Sequence, residues 1–287
     1  MASLIREPAI IVSAPRSGSS VLFEQMRVLP GLWSIGGESH SIFNAFPHLR
    51  AENAAMDSGS LTEQHADEET CDRLRRCFLF LLSDHQGRLL GRLPAHERPT
   101  HATLLEKTPR NALNIPFLLR VFPSARFVFL HRDPRHNIAS LIEAWTVGLQ
   151  TGRFVTFPQL PGWDREGWCF LLPPGWRRMR GKSIAEIAAF QWAATNSIIM
   201  DECQKLAPDR CATVTYEAFI DDPDSVLKSL AEFAGAQGPD RSMSGEALPL
   251  SRTTLTPPDP DKWRKHEDAI EAAREEWGPV ADRLAAL

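Results

Sequence analysis

What this 287-residue sequence lacks narrows its possibilities first. It has no run of about eighteen apolar residues, so no membrane-spanning helix is expected. Basic residues are not in excess: 32 Lys and Arg stand against 36 Asp and Glu, a formal net charge of −4. That balance gives no support to nucleic acid or bilayer binding through overall charge, while leaving room for a local basic pocket. Cys-x-x-Cys spacing is absent, and the five cysteines (Cys71, Cys77, Cys169, Cys203 and Cys211) are an odd number. They read as reduced thiols of a cytoplasmic protein, most of them packed as small apolar side chains. No His/Cys/Asp cluster has ligand spacing, so no metal is expected. The opening MASLIREPAI lacks a basic start followed by a long apolar stretch, and no secretory signal is expected. With no internal repeat or low-complexity tract, residues 1–287 read as a single domain.

What is present alternates between strands and helices. Short apolar runs at Ala9–Val12, Thr103–Glu106, Arg126–Leu130 and Cys211–Thr215 predict buried strands. Helices are predicted at Val21–Leu29, capped by Ser19 or Ser20, and at Ile115–Val121, Pro134–Trp145, Ser183–Lys205 and Asp224–Ala234. An amphipathic helix over Asp67–Asp84 puts Leu74, Cys77, Phe78, Leu81 and Leu82 on one face. This order argues for an α/β protein with a parallel sheet of right-handed crossovers. Residues 148–182 stand apart, dense in Pro, Gly and Trp, and are expected to form an ordered surface insertion. Their Trp163, Trp168 and Trp176 either wall an acceptor site or cover the core. Trp192 reads as core. The last stretch is a charged helix expected to show a solvated face.

Two segments carry the chemistry. In PAIIVSAPRSGSSVLFEQM, a buried strand runs into a tight polar turn and then a helix. Successive amides in such a turn, with the helix dipole behind them, suit a phosphate-like anion. Gly18 admits close approach, Ser17, Ser19 and Ser20 offer hydroxyls, and Arg16 is the one side-chain cation. The turn has neither the lysine nor the first glycine of the Walker A pattern, so it offers no Lys–Mg²⁺ arrangement for ATP. In FVFLHRDPRHNIAS, a second strand ends beside Arg132, and Ser140 follows on the next helix. An arginine at a strand's carboxyl end, with a hydroxyl beyond it, makes a second anion site. Two such sites imply a ligand phosphorylated at two places.

At these two segments the sequence resembles sulfotransferases that use 3′-phosphoadenosine 5′-phosphosulfate (PAPS), and more the tyrosylprotein and bacterial branch than the cytosolic one. GGESH, EKTP and VTYEAFIDDP extend the likeness from Ala9 to about Lys265. The resemblance implies a three-layer P-loop-like fold, with a central parallel sheet flanked by helices. It implies that Arg16 and the backbone of Ser17, Gly18, Ser19 and Ser20 hold the 5′-phosphosulfate, and that Arg132 and Ser140 hold the 3′-phosphate. Lys107 then reaches the bridging oxygen, Tyr216 lies near the adenine, and Lys262, with Thr253 or Thr254 before it, closes over the 3′-phosphate. The cytosolic branch has an Arg-Lys-Gly run at that last place, which this chain lacks.

For the base the resemblance offers Glu38, which matches a family glutamate, and His40, which falls near that branch's arginine without reproducing it. Glu38 is favoured, with His40 orienting the acceptor. The implied reaction is in-line transfer to a hydroxyl of a small molecule, lipid, sugar or peptide, with PAPS as co-substrate. Residues 31–47 and 148–182 are expected on the acceptor side, the latter as a lid. An ATP-dependent kinase of the same architecture and a non-catalytic bisphosphonucleotide-binding module are the alternatives. His131 reads as a strand end, Arg135 and His136 as a solvated helix face, Arg110 and Asn111 equally as shaping the pocket or as loop polarity, and Glu106 as a partner for a cation. Oligomeric state is not legible.

Overall fold

In the computed structural model, which describes residues 4–51, 57–239, 248–250, 254–255 and 259–287, the strand expected at Ala9–Val12 forms as β1, buried along its whole length. Helix α1 (Ser19–Met26) follows, then the short β2 (Leu32–Trp33), α2 (His40–Asn44) and α3 (Glu68–Leu81). Next come β3 (Thr103–Lys107), α4 (Ile115–Val121), β4 (Arg126–His131) and α5 (Pro134–Thr151). The region 148–182 contributes β5 (Val155–Phe157) and β6 (Trp168–Cys169), paired antiparallel. The chain then forms α6 (Ile184–Cys203), β7 (Cys211–Thr215), α7 (Tyr216–Asp221), α8 (Pro223–Phe233), α9 (Glu267–Ala272) and α10 (Arg274–Ala285).

Five strands make one parallel sheet in the order β2-β3-β1-β4-β7. The α/β expectation of a central parallel sheet between helices therefore holds. Strand alternation divides the core as the pleat requires. Ile10, Val12, Leu104, Phe127 and Phe129 face one layer, with α3–α6, α9 and α10. Ala9, Ile11, Leu105, Val128 and Leu130 face the other, with α1, α7 and α8. Among the described residues no helix is long and apolar enough to cross a membrane.

Several local expectations change. Helix α1 begins at Ser19, and its N-cap is Gly18, with no side-chain cap from either serine. Asp67 caps α3 by accepting from the Thr70 amide, and the helix stops at Leu81, leaving that leucine 38% exposed. The C-terminal helix is two helices, and Ile270, Trp277 and Leu284 are buried, so its face toward α6 is core.

The insertion's tryptophans cover core. Trp168 and Trp176 are enclosed, and with Trp145 of α5 and Trp163 they form a cluster of edge-to-face rings. Gln191 of α6 ties this cluster down. Its amide donates to the carbonyls of Cys169 and Leu171 (2.8 Å each), while its oxygen accepts from Trp145 Nε1 at 2.7 Å. A fully buried glutamine with its polar atoms paired locates the insertion without an unsatisfied group.

The reading of all five cysteines as thiols fails at one pair. The turn after α6 brings Cys203 onto the start of β7, where it is joined to Cys211 with Cα atoms 5.9 Å apart. An odd count excludes complete pairing but not a single bridge, and Cys71, Cys77 and Cys169 remain free. Alkylation of the denatured, unreduced protein is expected to label three cysteines, and five after reduction. Replacing Cys203 by Ser is expected to cost about 2.5 kcal/mol in urea unfolding, the chain-entropy value for so short a loop.

Candidate active site

The register of the sheet decides what meets at its carboxyl edge. Ile11 lies beside Lys107, Val12 beside Phe129, and His131 beside Thr215. The turn after β1, Lys107 at the end of β3, Arg132 after β4 and Tyr216 after β7 thus open at one edge, the position at which open parallel sheets bind ligands.

In the turn, Arg16 (φ 68°) and Gly18 (φ 95°) are both left-handed. A Cβ on Gly18 would lie 2.3 Å from Cδ2 of the Tyr216 ring, so glycine is required by conformation and by contact. Ser17 does not offer its hydroxyl to a ligand. It is buried, 2.8 Å from the Ala14 carbonyl and 2.6 Å from Asn137 Oδ1, while Asn137 Nδ2 donates to the Pro15 carbonyl at 2.8 Å. Asn137, on α5, thereby stitches the turn to the next anion motif. Sequence reading missed it, because nothing in a helix interior marks a residue that braces a distant loop. Ser19 and Ser20 line the cleft.

The second motif stands in the same cleft, which measures about 380 Å³ and is bordered by Arg16, Arg132, Ser140, Tyr216 and Lys262. Arg16 crosses to α5, its Nε 3.4 Å from Ser140 Oγ. Arg132 lies over the Tyr216 ring at 4.6 Å, and its Nε is buried without a hydrogen-bond partner. Burial, then the nearby guanidiniums of Arg132 and Arg153, hold Arg16 down to about 10, against the opposing pull of Glu143. It remains protonated at neutral pH. Guanidiniums gathered in a half-enclosed cleft, one with an unpartnered donor, fit a multiply charged anion. Lys262 lines the cleft and pairs with Glu143 at 2.5 Å. Thr254 also borders it, whereas Thr253 lies outside the described residues.

Glu38, His40 and Lys107 form one chain of contacts. Lys107 Nζ donates to Glu38 Oε1 at 2.6 Å and to Ser20 Oγ at 3.1 Å. His40 Nε2 stands 2.8 Å from Glu38 Oε2. Burial pushes the Glu38 carboxyl up, but the His40 hydrogen bond and the charge and hydrogen bond of Lys107 outweigh it and hold the group at about 2.

Three loop expectations are corrected. His136 borders the cleft with its ring stacked on Trp263, and Arg135 pairs with Glu271 at 2.7 Å between Trp263 and Trp277. These residues fasten the C-terminal segment while staying partly exposed. Among the described residues Glu106 makes no ion pair, and the Lys107 charge acts on it only as a minor influence. Its carboxylate accepts from Ser39, Thr108 and Asn111. No tryptophan of the insertion borders the cleft; Phe154, Val155, Thr156, Phe170 and Leu171 do. Phe154 and Phe170 are stacked 5.2 Å apart, and both hold left-handed backbones (φ 70° and 64°). Bulky residues there cost on the order of 1–3 kcal/mol each, a strain that gathers at ligand sites. Sequence alone had no signal for this pair, since its geometry comes from the β5–β6 hairpin.

A profile described as the sulfotransferase family matches residues 8–166, more than half of the sequence. The chain belongs to the sulfotransferase family. Solved structures similar to this sulfotransferase include the sulfotransferase domain from the curacin biosynthetic pathway (20% identity, 99% of each chain covered, TM-score 0.49). Others are the sulfotransferase domain of the Synechococcus PCC 7002 olefin synthase (20%, 98% of this chain and 96% of that one, 0.48) and a sulfotransferase from Alicyclobacillus acidocaldarius (13%, 96% of each, 0.48). The matched stretch of this sulfotransferase carries the turn at 16–20, Glu38, His40, Lys107, Arg132 and Ser140, while Tyr216 and Lys262 lie beyond it.

Gly18→Ala in this sulfotransferase is expected to displace the Tyr216 ring. Calorimetry should show a lower Tm.

Proposed function

We propose that this sulfotransferase moves the sulfuryl group of PAPS to a hydroxyl carried on an apolar body. The observation that carries the reading is that the guanidiniums of Arg16 and Arg132 and the Lys107–Glu38–His40 chain share one cleft. When bound, the donor supplies an activated sulfuryl group on a nucleotide with two separated phosphate positions. Arg132 and Ser140 hold the 3′-phosphate, with Arg16 reaching the same cup from the turn. The amides of Gly18, Ser19 and Ser20, at the N-terminus of α1, hold the 5′ end. Tyr216 and Trp263 offer ring faces between these cups and the C-terminal segment, and Lys262 closes that side.

Lys107 stabilises the charge that builds on the leaving oxygen, an interaction that strengthens only as the bond breaks. Its contact with Ser20 already aims it at the turn. Sequence favours Glu38 as base; the two donors on its carboxylate lead us to propose His40 for that role. A carboxylate held at about 2 is a weak proton acceptor at neutral pH. When His40 gives Nε2–H to Glu38 its lone pair lies on Nδ1, a buried atom without a hydrogen-bond partner, and the ring turns to present it to the acceptor. The acceptor oxygen attacks sulfur, its proton passes to His40, and adenosine 3′,5′-bisphosphate departs in line. The loose transition state expected by analogy with phosphoryl transfer asks mainly for positioning and charge stabilisation.

We place Phe170 and Leu171 on the acceptor side, with Thr156 and Arg110 as its polar members, and Phe154 between Phe170 and the Arg16 guanidinium, which is 5.7 Å from the Phe154 ring. Such a wall favours an alcohol or phenol on a flat or aliphatic frame over a sugar, whose hydroxyls would go unpaired against the rings. Residues 148–182 thus serve as the acceptor lid.

Against a kinase stands the turn, which places Arg16 on the far wall and has no lysine among its residues. Adenosine 3′,5′-bisphosphate is expected to raise the Tm well beyond ATP–Mg²⁺. Arg132→Ala should weaken the bisphosphate at least tenfold while leaving AMP within threefold. Lys107→Ala and His40→Ala should each lower PAPS turnover at least a hundredfold with bisphosphate affinity retained, as general acid–base and charge-stabilising roles require. Equal stabilisation by ATP–Mg²⁺, or unchanged turnover in both variants, would refute this function.

A further inference from the structure

Ser39 stands between Glu38 and His40 in the chain and is completely buried. Its amide donates to Thr108 Oγ1 at 2.8 Å, and its hydroxyl donates to Glu106 Oε1 at 2.8 Å. Thr108 Oγ1 donates to the same Glu106 oxygen at 2.5 Å, and Asn111 Nδ2 donates to Oε2 at 3.0 Å. Glu106 is 1% exposed. It neighbours Lys107 on β3, so the pleat sends the two side chains to opposite faces of one strand. Lys107 grips Glu38 on one face, and Glu106 grips Ser39 on the other.

An ionised or isolated carboxylate so far from water is costly unless its acceptor sites are filled. Here donors reach both oxygens, and all come from segments that flank the reacting groups. A leucine would fill this core position without any such network. We infer that Glu106 is a positioning residue: with Ser39, Thr108 and Asn111 it clamps the 38–40 segment to the end of β3, fixing Glu38 between Lys107 and His40 and holding the His40 ring in one tautomer. Burial drives the Glu106 carboxyl upward while the donors from Thr108, Asn111 and Ser39 pull against that, so the group depends on the segment it holds. The inference rests on the reading of His40, Glu38 and Lys107 as the reacting groups.

The test uses Ser39→Ala, Thr108→Val, Glu106→Leu and Glu106→Gln, with PAPS as donor and 2-naphthol as probe acceptor. Each variant is also titrated with adenosine 3′,5′-bisphosphate, and its histidines are followed by ¹⁵N NMR without substrate. Ser39→Ala and Thr108→Val are expected to lower kcat about tenfold or more and keep bisphosphate affinity within twofold. Their His40 nitrogens should lose the signature of a single Nε2–H tautomer. Glu106→Gln, whose amide oxygen can still accept from Ser39 and Thr108, should recover most of what Glu106→Leu loses. If Glu106→Leu fails to fold, the two hydroxyl variants decide. Full kcat with unchanged His40 signals in Ser39→Ala and Thr108→Val overturns the inference, as does a bisphosphate affinity that falls in step with kcat. Should the unaltered enzyme leave 2-naphthol unmodified, the choice of acceptor fails, and the His40 signals alone decide the clamp.

Discussion

The parallel pairing of β1 between β3 and β4 brings the turn at Arg16, Lys107 and Arg132 to one edge of the sheet. Ile11 against Lys107 and Val12 against Phe129 set three strand ends level, and β7 adds a fourth beside β4. A slip of one residue in β3 would exchange the faces of Glu106 and Lys107, putting a carboxylate where the cleft has an ammonium. The two apolar layers make such a slip costly, since Leu104 and Leu105 would each leave the layer they fill.

On that frame the cleft is unbalanced in charge by design of its walls. Arg16, Arg132 and Arg153 repel one another strongly enough to help hold Arg16 near 10, and Glu143 answers only part of that field. The buried Nε of Arg132 marks where a further acceptor belongs. Elsewhere in the same cleft the balance reverses: Glu38 receives both Lys107 and His40 and is held near 2. One half of the cleft calls for an anion, and the other is internally neutralised and set for a proton. A molecule that is anionic at one end and exchanges a proton with its partner at the other suits both.

Much of this was legible in the residues. Four of the five strands of the sheet followed from short apolar runs, and the glycine-bearing turn and the Arg132–Ser140 segment, read as anion motifs, come to one cleft. The insertion's aromatic wall was not legible, because Phe154 and Phe170 face the cleft only through a hairpin that no local pattern announces. Arg135 and His136 looked like a solvated helix start, since the segment that covers them through Trp263 and Glu271 lies far along the chain. Ser39 hid in plain view: a serine beside a glutamate carries no sign that its hydroxyl reaches a strand interior. The Cys203–Cys211 bridge was missed because spacing in sequence does not report how a turn folds back. These failures share a cause, in that each depends on long-range placement rather than on neighbours along the chain.

The central claim is that one ligand with two phosphate positions spans the cleft from the turn at Gly18 to the cup at Arg132. A crystal structure with adenosine 3′,5′-bisphosphate tests it most directly. The account predicts the 3′-phosphate oxygens within hydrogen-bond reach of Arg132 and Ser140, with the 5′-phosphate on the amides of Gly18 to Ser20. A nucleotide bound in the reverse sense, or outside this cleft with Arg132 still unpartnered, would contradict it.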